Sequence, residues 1–249
     1  MDEAVPPGLG DDVLNVNSMV YYLANKMVVC SPELVAASIH GMAIGFFRPS
    51  GTWSLSRLRP DGRMQGWYQD IAFHRGKLYA LAHNEELFAH NVVVDGDAAA
   101  GTPHVEHVIK AQPSASTDLG VPCGRMRYLV PSRDRLLMVK WSMEEGDTKF
   151  TKWFKLKVFE ADLDTGRWLE VKNLEDGHAL FVSRGCSKAL RVMDNDPTFR
   201  GDRVYFLGVD LATCGYESTI PSYGYYDMRC GTIGFTFLRT MGIRHVRSE

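Results

Sequence analysis

The segment Asp70 to His90, DIAFHRGKLYALAHNEELFAH, most constrains what this chain can become. It alternates short apolar runs with tight polar turns. Asp70–His74 reads as a strand and Arg75-Gly76 as a two-residue turn, with Gly76 supplying the positive φ that a primed hairpin turn needs. Lys77–Leu81 returns, Asn84-Glu85 turns again, and Glu86–Val94 makes a third strand. His104–Lys110 is placed to be a fourth. One such meander leaves both sheet faces open, so the next question is whether it recurs.

It does. RYLVPSRDRLLMVKW, 127–141, is strand, turn, strand. KWFKLKVFEADLDTGRWLEV, 152–171, adds two strands about the turn Asp164-Thr165-Gly166. Asn25 to Leu58 reads as four strands, the last holding Trp53. Phe199–Asp210 and Tyr223–Leu238 repeat the turn-plus-strand element. A basic residue opens the central strand each time, at Lys26, Lys77, Arg135 and Arg203, spaced 51, 58 and 68 residues apart. Four short strands per unit of roughly 50 residues is the pattern of a β-propeller blade, because stacking blades radially buries both faces of each sheet. The expected fold is all-β: a β-propeller-like array of about four four-stranded antiparallel blades near 16–58, 67–110, 125–175 and 179–238, forming an incomplete ring. An acidic lead over 1–15 and a basic tail over 239–249 flank the domain. A two-sheet sandwich of the same short strands is the competing arrangement.

Composition narrows the function. At 249 residues and 45% hydrophobic content, the chain can bury a sizeable core. A net charge of −2 points to neither nucleic acid nor an anionic membrane. No apolar run reaches the ~18 residues that span a bilayer, and the start MDEAVPPGLGDD lacks the form of a secretory signal. An intracellular location is therefore expected, in cytoplasm or nucleus. The five cysteines, at 30, 123, 186, 214 and 230, show no C-x-x-C spacing and read as buried reduced thiols.

In the order D-I-A-F-H-R-G-K-L-Y-A-L, Y-L-V-P-S-R-D-R-L-L-M-V, F-K-L-K-V-F-E-A-D-L-D-T-G-R-W-L-E-V, A-L-F-V and R-V-Y-F-L, the chain resembles the plant F-box-associated, kelch-like β-propeller family that includes the KIB proteins. The resemblance covers about Lys26 to Gly234. It implies an adaptor whose propeller captures a protein for ubiquitination while a separate F-box docks a Skp-type subunit. These 249 residues show no F-box, so no binding to a Skp-type adaptor is expected. The family carries no catalytic residues to transfer.

The residues themselves show no catalytic, cofactor or metal constellation. His104-Val105-Glu106-His107 would put its two histidines on opposite faces of a strand. Asp162–Gly166 lacks the later ligands of a calcium loop and reads as a turn. Cys186, between Gly185 and Ser187, has no evident histidine partner. His74 reads as a surface or hydrogen-bonding histidine beside its turn. Trp53 and Trp168 read as packing residues. Trp67, Tyr68, Tyr223 and Tyr225 crowd expected strand ends and loops, where aromatic side chains anchor a partner. The function expected is that of a non-enzymatic protein-interaction module with an unknown protein partner and no cofactor. The alternatives are a carbohydrate-active propeller enzyme, which would need two converging carboxylates, and a truncated fragment without independent function.

Overall fold

The computed structural model describes residues 24–39, 43–48, 51, 53–56, 68–91, 105–110, 127–145, 152–207 and 223–234. Their strands form four sheets that follow one another along the chain. The first holds β1 (Ala24–Ser31), β2 (Leu34–Ile39), β3 (Ala43–Phe47) and β4 (Trp53–Ser56). The second holds β5 (Tyr68–His74), β6 (Lys77–Ala82), β7 (Leu87–Asn91) and β8 (Val105–Ile109). The third holds β9 (Arg127–Ser132), β10 (Arg135–Glu145), β11 (Lys152–Asp162) and β12 (Arg167–Val171). The fourth has five strands: β13 (His178–Ser183), β14 (Ser187–Arg191), β15 (Arg203–Leu207), β16 (Tyr223–Asp227) and β17 (Thr232–Gly234). A 3-10 turn, Glu175–Gly177, is the one helical element among the described residues. The sheets are arranged in a ring as the blades of a four-bladed β-propeller.

Strand alternation builds the ring. In β5, Ile71 and Phe73 face the first sheet and pack with Leu34, Ile44 and Phe46, while Ala72 faces the third sheet and packs with Leu129 and Met138. In β9, Tyr128 and Val130 face the fourth sheet and join Leu180, Val204 and Phe206. Three apolar cores thus fill the spaces between sheets one and two, two and three, and three and four.

The recurring basic residue has a structural cause in three blades. Each opens an inner strand of its sheet directly after a turn held at positive φ, at Arg75 (47°), Arg133 (42°) and Asp202 (56°). Lys77 then pairs with Glu106 at 3.1 Å, Arg135 with Glu160 at 2.7 Å and Arg203 with Asp227 at 3.0 Å. Each pair crosses strands of one blade. Lys26 departs from this pattern. It lies on β1, at the edge of the first sheet, and its partner is Asp70 of the next blade at 2.7 Å. The two side chains are both buried. The remaining carboxylate oxygen of Asp70 accepts the Leu129 N–H at 2.7 Å. One carboxylate thereby ties together three consecutive blades. Burial pushes this carboxyl above its ordinary range, against the pull of the Lys26 ammonium and of the Leu129 and Ile71 N–H groups.

A second tie joins blades two and three. Glu85, in the β6–β7 turn, accepts Arg127 Nη2 at 2.8 Å and contacts Lys140 Nζ at 2.5 Å. Burial works to raise this carboxyl, but the two cations outweigh it and hold it below the usual range. The Glu85 carbonyl accepts Trp168 Nε1–H at 2.8 Å. Gly166, just before this strand, has φ +67°, and a Cβ there would meet the Val108 carbonyl oxygen at 2.9 Å. The turn needs glycine on both counts. Trp168 is half-buried against the core of blades two and three, as a packing tryptophan should be. Trp168→Ala is expected to cost about 2 kcal/mol, less than the ~3–5 kcal/mol for a fully buried ring, together with its share of the Glu85 hydrogen bond. Guanidinium titration of both proteins checks this, and an unchanged midpoint would remove Trp168 from the core.

The fourth blade departs from four antiparallel strands. β13 pairs with β14 on one side and, in parallel, with β15 on the other. The chain reverses at 184–186 to lay β14 along the inner edge, then crosses through 192–202 to bring β15 to the far side of β13 in the same direction. Such a parallel pair needs a long crossover rather than a hairpin, and the spacing of apolar runs did not reveal it. Two further expectations change. His74 is buried beside Tyr79 and bonded to the Asp134 backbone, so of its two readings the hydrogen-bonding one holds and the surface one does not. Of the described cysteines only Cys30 is buried, while Cys186 and Cys230 are exposed.

The first blade differs from the second and third on the face that its first strand turns back along the ring. Ile71 of β5 and Leu129 of β9, which face the preceding blade, are fully buried. On β1, Met27 in the matching position is 55% exposed and Val29 is 71% exposed, while Ala37 and Ile39 on the same face are buried. Among the described residues no buried cluster joins the fourth blade to the first. The expected lead over 1–15 and tail over 239–249 lie outside the described residues.

Candidate functional site

The fourth blade turns one face to the third blade and the other away from it. Alternation assigns Leu180, Val182, Val204 and Phe206 to the packed face. Phe181, Tyr205 and Leu207 therefore point the other way, and the β15–β16 register sets Tyr225 opposite Tyr205 and Tyr223 opposite Leu207. The outward face is consequently aromatic across three adjacent strands.

The rings on it touch. Phe181 stacks on Tyr205 with centroids 5.0 Å apart and planes 13° from parallel. Phe199, from the crossover, meets both edge-on at 5.2 Å. Tyr205 and Tyr225 lie 5.9 Å apart. The Arg203 guanidinium sits 4.1 Å over the Tyr225 ring and also pairs with Asp227. Burial tends to raise the Asp227 carboxyl, yet the Arg203 guanidinium and the Arg229 N–H hold it below its ordinary range. The Tyr205 hydroxyl accepts the Arg200 N–H at 2.8 Å. These contacts hold the rings in fixed positions. Leu207, at the edge of the cluster, is 58% exposed.

Of the four aromatics singled out in the sequence, two belong to this face. Tyr223 and Tyr225 are half-buried on one face of β16; Tyr223 opens the strand and Tyr225 lies in its middle. Tyr226 alternates to the inner face and packs against the core of blades three and four. Tyr68 opens β5 but is buried between the first two blades, edge-on to Phe88 at 6.0 Å and to His90 at 6.2 Å. It is a core residue, and no partner reaches its ring. Trp67 lies outside the described residues. Phe181, Phe199, Tyr205 and Leu207 went unremarked in the sequence; the alternation within HALFVS and RVYFL, once their pairing is known, is the signal that finds all but Phe199, which lies in the crossover.

The other sequence candidates resolve into structure. His107 stacks on Phe88 at 4.6 Å, and His104 lies outside the described residues. The Asp162 carboxylate accepts the N–H groups of Asp164 and Thr165 and caps its own turn. Ser183 Oγ donates to the Cys186 carbonyl and accepts the Cys186 N–H, closing the β13–β14 turn. Among the described residues no three His, Cys, Asp or Glu side chains are grouped to hold a metal ion. No helix among them is long and apolar enough to cross a membrane.

The blades, their shared cores and their order define a β-propeller protein. The family model of the KIB1-4 beta-propeller matches residues 4–228, and the chain belongs to that family. The match begins ahead of residue 16, where the domain was expected to start. No curated protein matches the chain.

Proposed function

We propose that this propeller is a non-enzymatic protein-interaction module that holds a protein partner on the outward face of its fourth blade. The observation that carries the reading is the pre-ordered aromatic cluster with Leu207 exposed at its edge. Rigid aromatic groups flanked by exposed apolar surface are what interface hot spots are made of. The family resemblance supports an adaptor role, in which the propeller selects and a separate module acts. An intracellular setting fits the free thiols.

Leu207→Lys tests the site. The residue is exposed, so stability should change by no more than about 0.5 kcal/mol. Wild type and variant serve as parallel baits in an extract of the source cells. A protein retained by wild type and lost by the variant, at equal denaturation midpoints, is the expected result. Equal retention of every bound protein by both baits would refute the site.

A further inference from the structure

We infer that acid parts the outer strands of blades one and two at His90, while the strands nearest the ring's axis stay in contact. The inference concerns a seam within the chain and is independent of the fourth-blade face. The seam has two sides. Next to the axis, β1 lies against β5, and the buried Lys26–Asp70 pair joins them at 2.7 Å. Farther out, Phe46 of β3 and Ser56 of β4 meet His90 of β7. Alternation along β7 turns Phe88 and His90 towards blade one, and Leu87 and Ala89 towards blade three.

Among the described residues, nothing that faces His90 can balance the charge of a protonated ring. The residue is fully buried. It meets the Ser56 hydroxyl from β4, the Phe46 ring from β3 and the Tyr68 ring from β5. Its register partners on β6 and β8 are Leu78 and Val105. Nε2 has no hydrogen-bond partner among the described residues. The charged and titratable groups elsewhere on the seam are already engaged. His107 of β8 stacks on Phe88 and has the Glu86 carboxylate at 3.7 Å. Asp70 of β5 holds Lys26 of β1 and accepts the Leu129 and Ile71 N–H groups. Burial pushes the Cys30 thiol of β1 up to about 11, so it carries no charge. His74 lies across the sheet, bonded to the Asp134 backbone of blade three. A proton on Nε2 therefore creates a buried cation with no counter-charge, and moving the ring into water is the relief. Parting β3 and β4 from β7 does this and leaves the Lys26–Asp70 tie as the hinge.

Burial holds the enclosed imidazole at about 4, and an opened seam returns it to its ordinary 6.5. Closure is fully favoured above 6.5 and weakens as the pH falls towards 4. From pH 7 to pH 5 the opened population should grow about 20-fold. A reporter thiol, Ser56→Cys, reads the outer side of the seam, and the native Cys30 reads the axis side. Both are labelled on the full folded chain with dithiodipyridine, which reacts in mild acid, and are located by peptide mass spectrometry. Each rate is taken relative to the same thiol in the unfolded chain at the same pH. The Ser56→Cys thiol is expected to label about 20-fold faster at pH 5 than at pH 7, with Cys30 unchanged. Adding His90→Leu should abolish the rise; His90→Gln, equally unable to titrate, stands in if His90→Leu does not fold. No rise at all overturns the inference, and so does an equal rise with and without His90. A Cys30 rate that climbs in step with the reporter also overturns it, because acid then unfolds the blade or the chain as a whole instead of parting its rim.

Discussion

Asp70→Ala is expected to cost about 4 kcal/mol of folding stability, within the ~3–5 kcal/mol typical of breaking a buried ion pair from one side. The deletion strands the buried Lys26 ammonium and removes the acceptor of the Leu129 and Ile71 N–H groups, so blades one, two and three lose their shared tie together. Such a loss is a large part of a domain's ordinary stability of ~5–15 kcal/mol. The pair itself need not be a net stabiliser, because burying two charges carries a large desolvation cost. The double variant Lys26→Met, Asp70→Asn separates the two effects. It removes both charges but keeps an oxygen to accept the Leu129 N–H, and it should recover most of the lost stability. Guanidinium denaturation of the three proteins decides. An Asp70→Ala midpoint equal to wild type, or a double variant as unstable as the single one, would show that Asp70 does not hold the blades.

His90 is expected to make the protein acid-sensitive. It is fully buried on β7, in the space between blades one and two, with Phe46 at 6.4 Å and Tyr68 at 6.2 Å. Ser56 Oγ lies 3.4 Å from Nδ1, and Nε2 has no hydrogen-bond partner among the described residues. Burial pushes the imidazole down to about 4, from an ordinary 6.5. The unfolded chain therefore takes up a proton at this site as the pH falls through 6.5, while the folded chain refuses it until about 4. Stability from the neutral imidazole is complete above 6.5 and is lost progressively between 6.5 and about 4. A gap of this size corresponds to about 3 kcal/mol. Other groups also titrate in this range, so the informative quantity is the difference between proteins. The loss of stability from pH 7 to pH 4 should be smaller in His90→Leu than in wild type by about 3 kcal/mol. Equal losses in the two proteins would show that His90 carries no such penalty.

The local grammar was legible because it is written in neighbouring residues. Arg75-Gly76 and Asp164-Thr165-Gly166 are turns, with Gly76 and Gly166 at positive φ, because backbone sterics act within a few residues. Lys77–Ala82, Arg135–Glu145 and Arg203–Leu207 are inner strands of their sheets, as their apolar runs predict. The number and order of blades followed from repetition of this grammar, since a chain that repeats one meander must bury each sheet against the next.

What the sequence could not say is which face of each strand meets which neighbour. Lys26 and Lys77 look alike in the sequence, yet one ties two blades together and the other pairs across its own sheet, because only the stacking of blades brings Asp70 to Lys26. Tyr68 and Tyr225 were equal candidates for a partner's pocket. Position in the ring separates them: Tyr68 opens a strand with a blade on either side, while Tyr225 faces outward from the last blade. The same holds for Val29, an ordinary strand valine in the sequence, which the packing of the sheets leaves 71% exposed. By itself, then, the sequence determined the strands, their turns and the kind of fold, since hydrophobic alternation and turn chemistry are local. Only the tertiary structure decided which aromatic residues are core and which are surface, because burial belongs to the packing of sheets far apart in the chain.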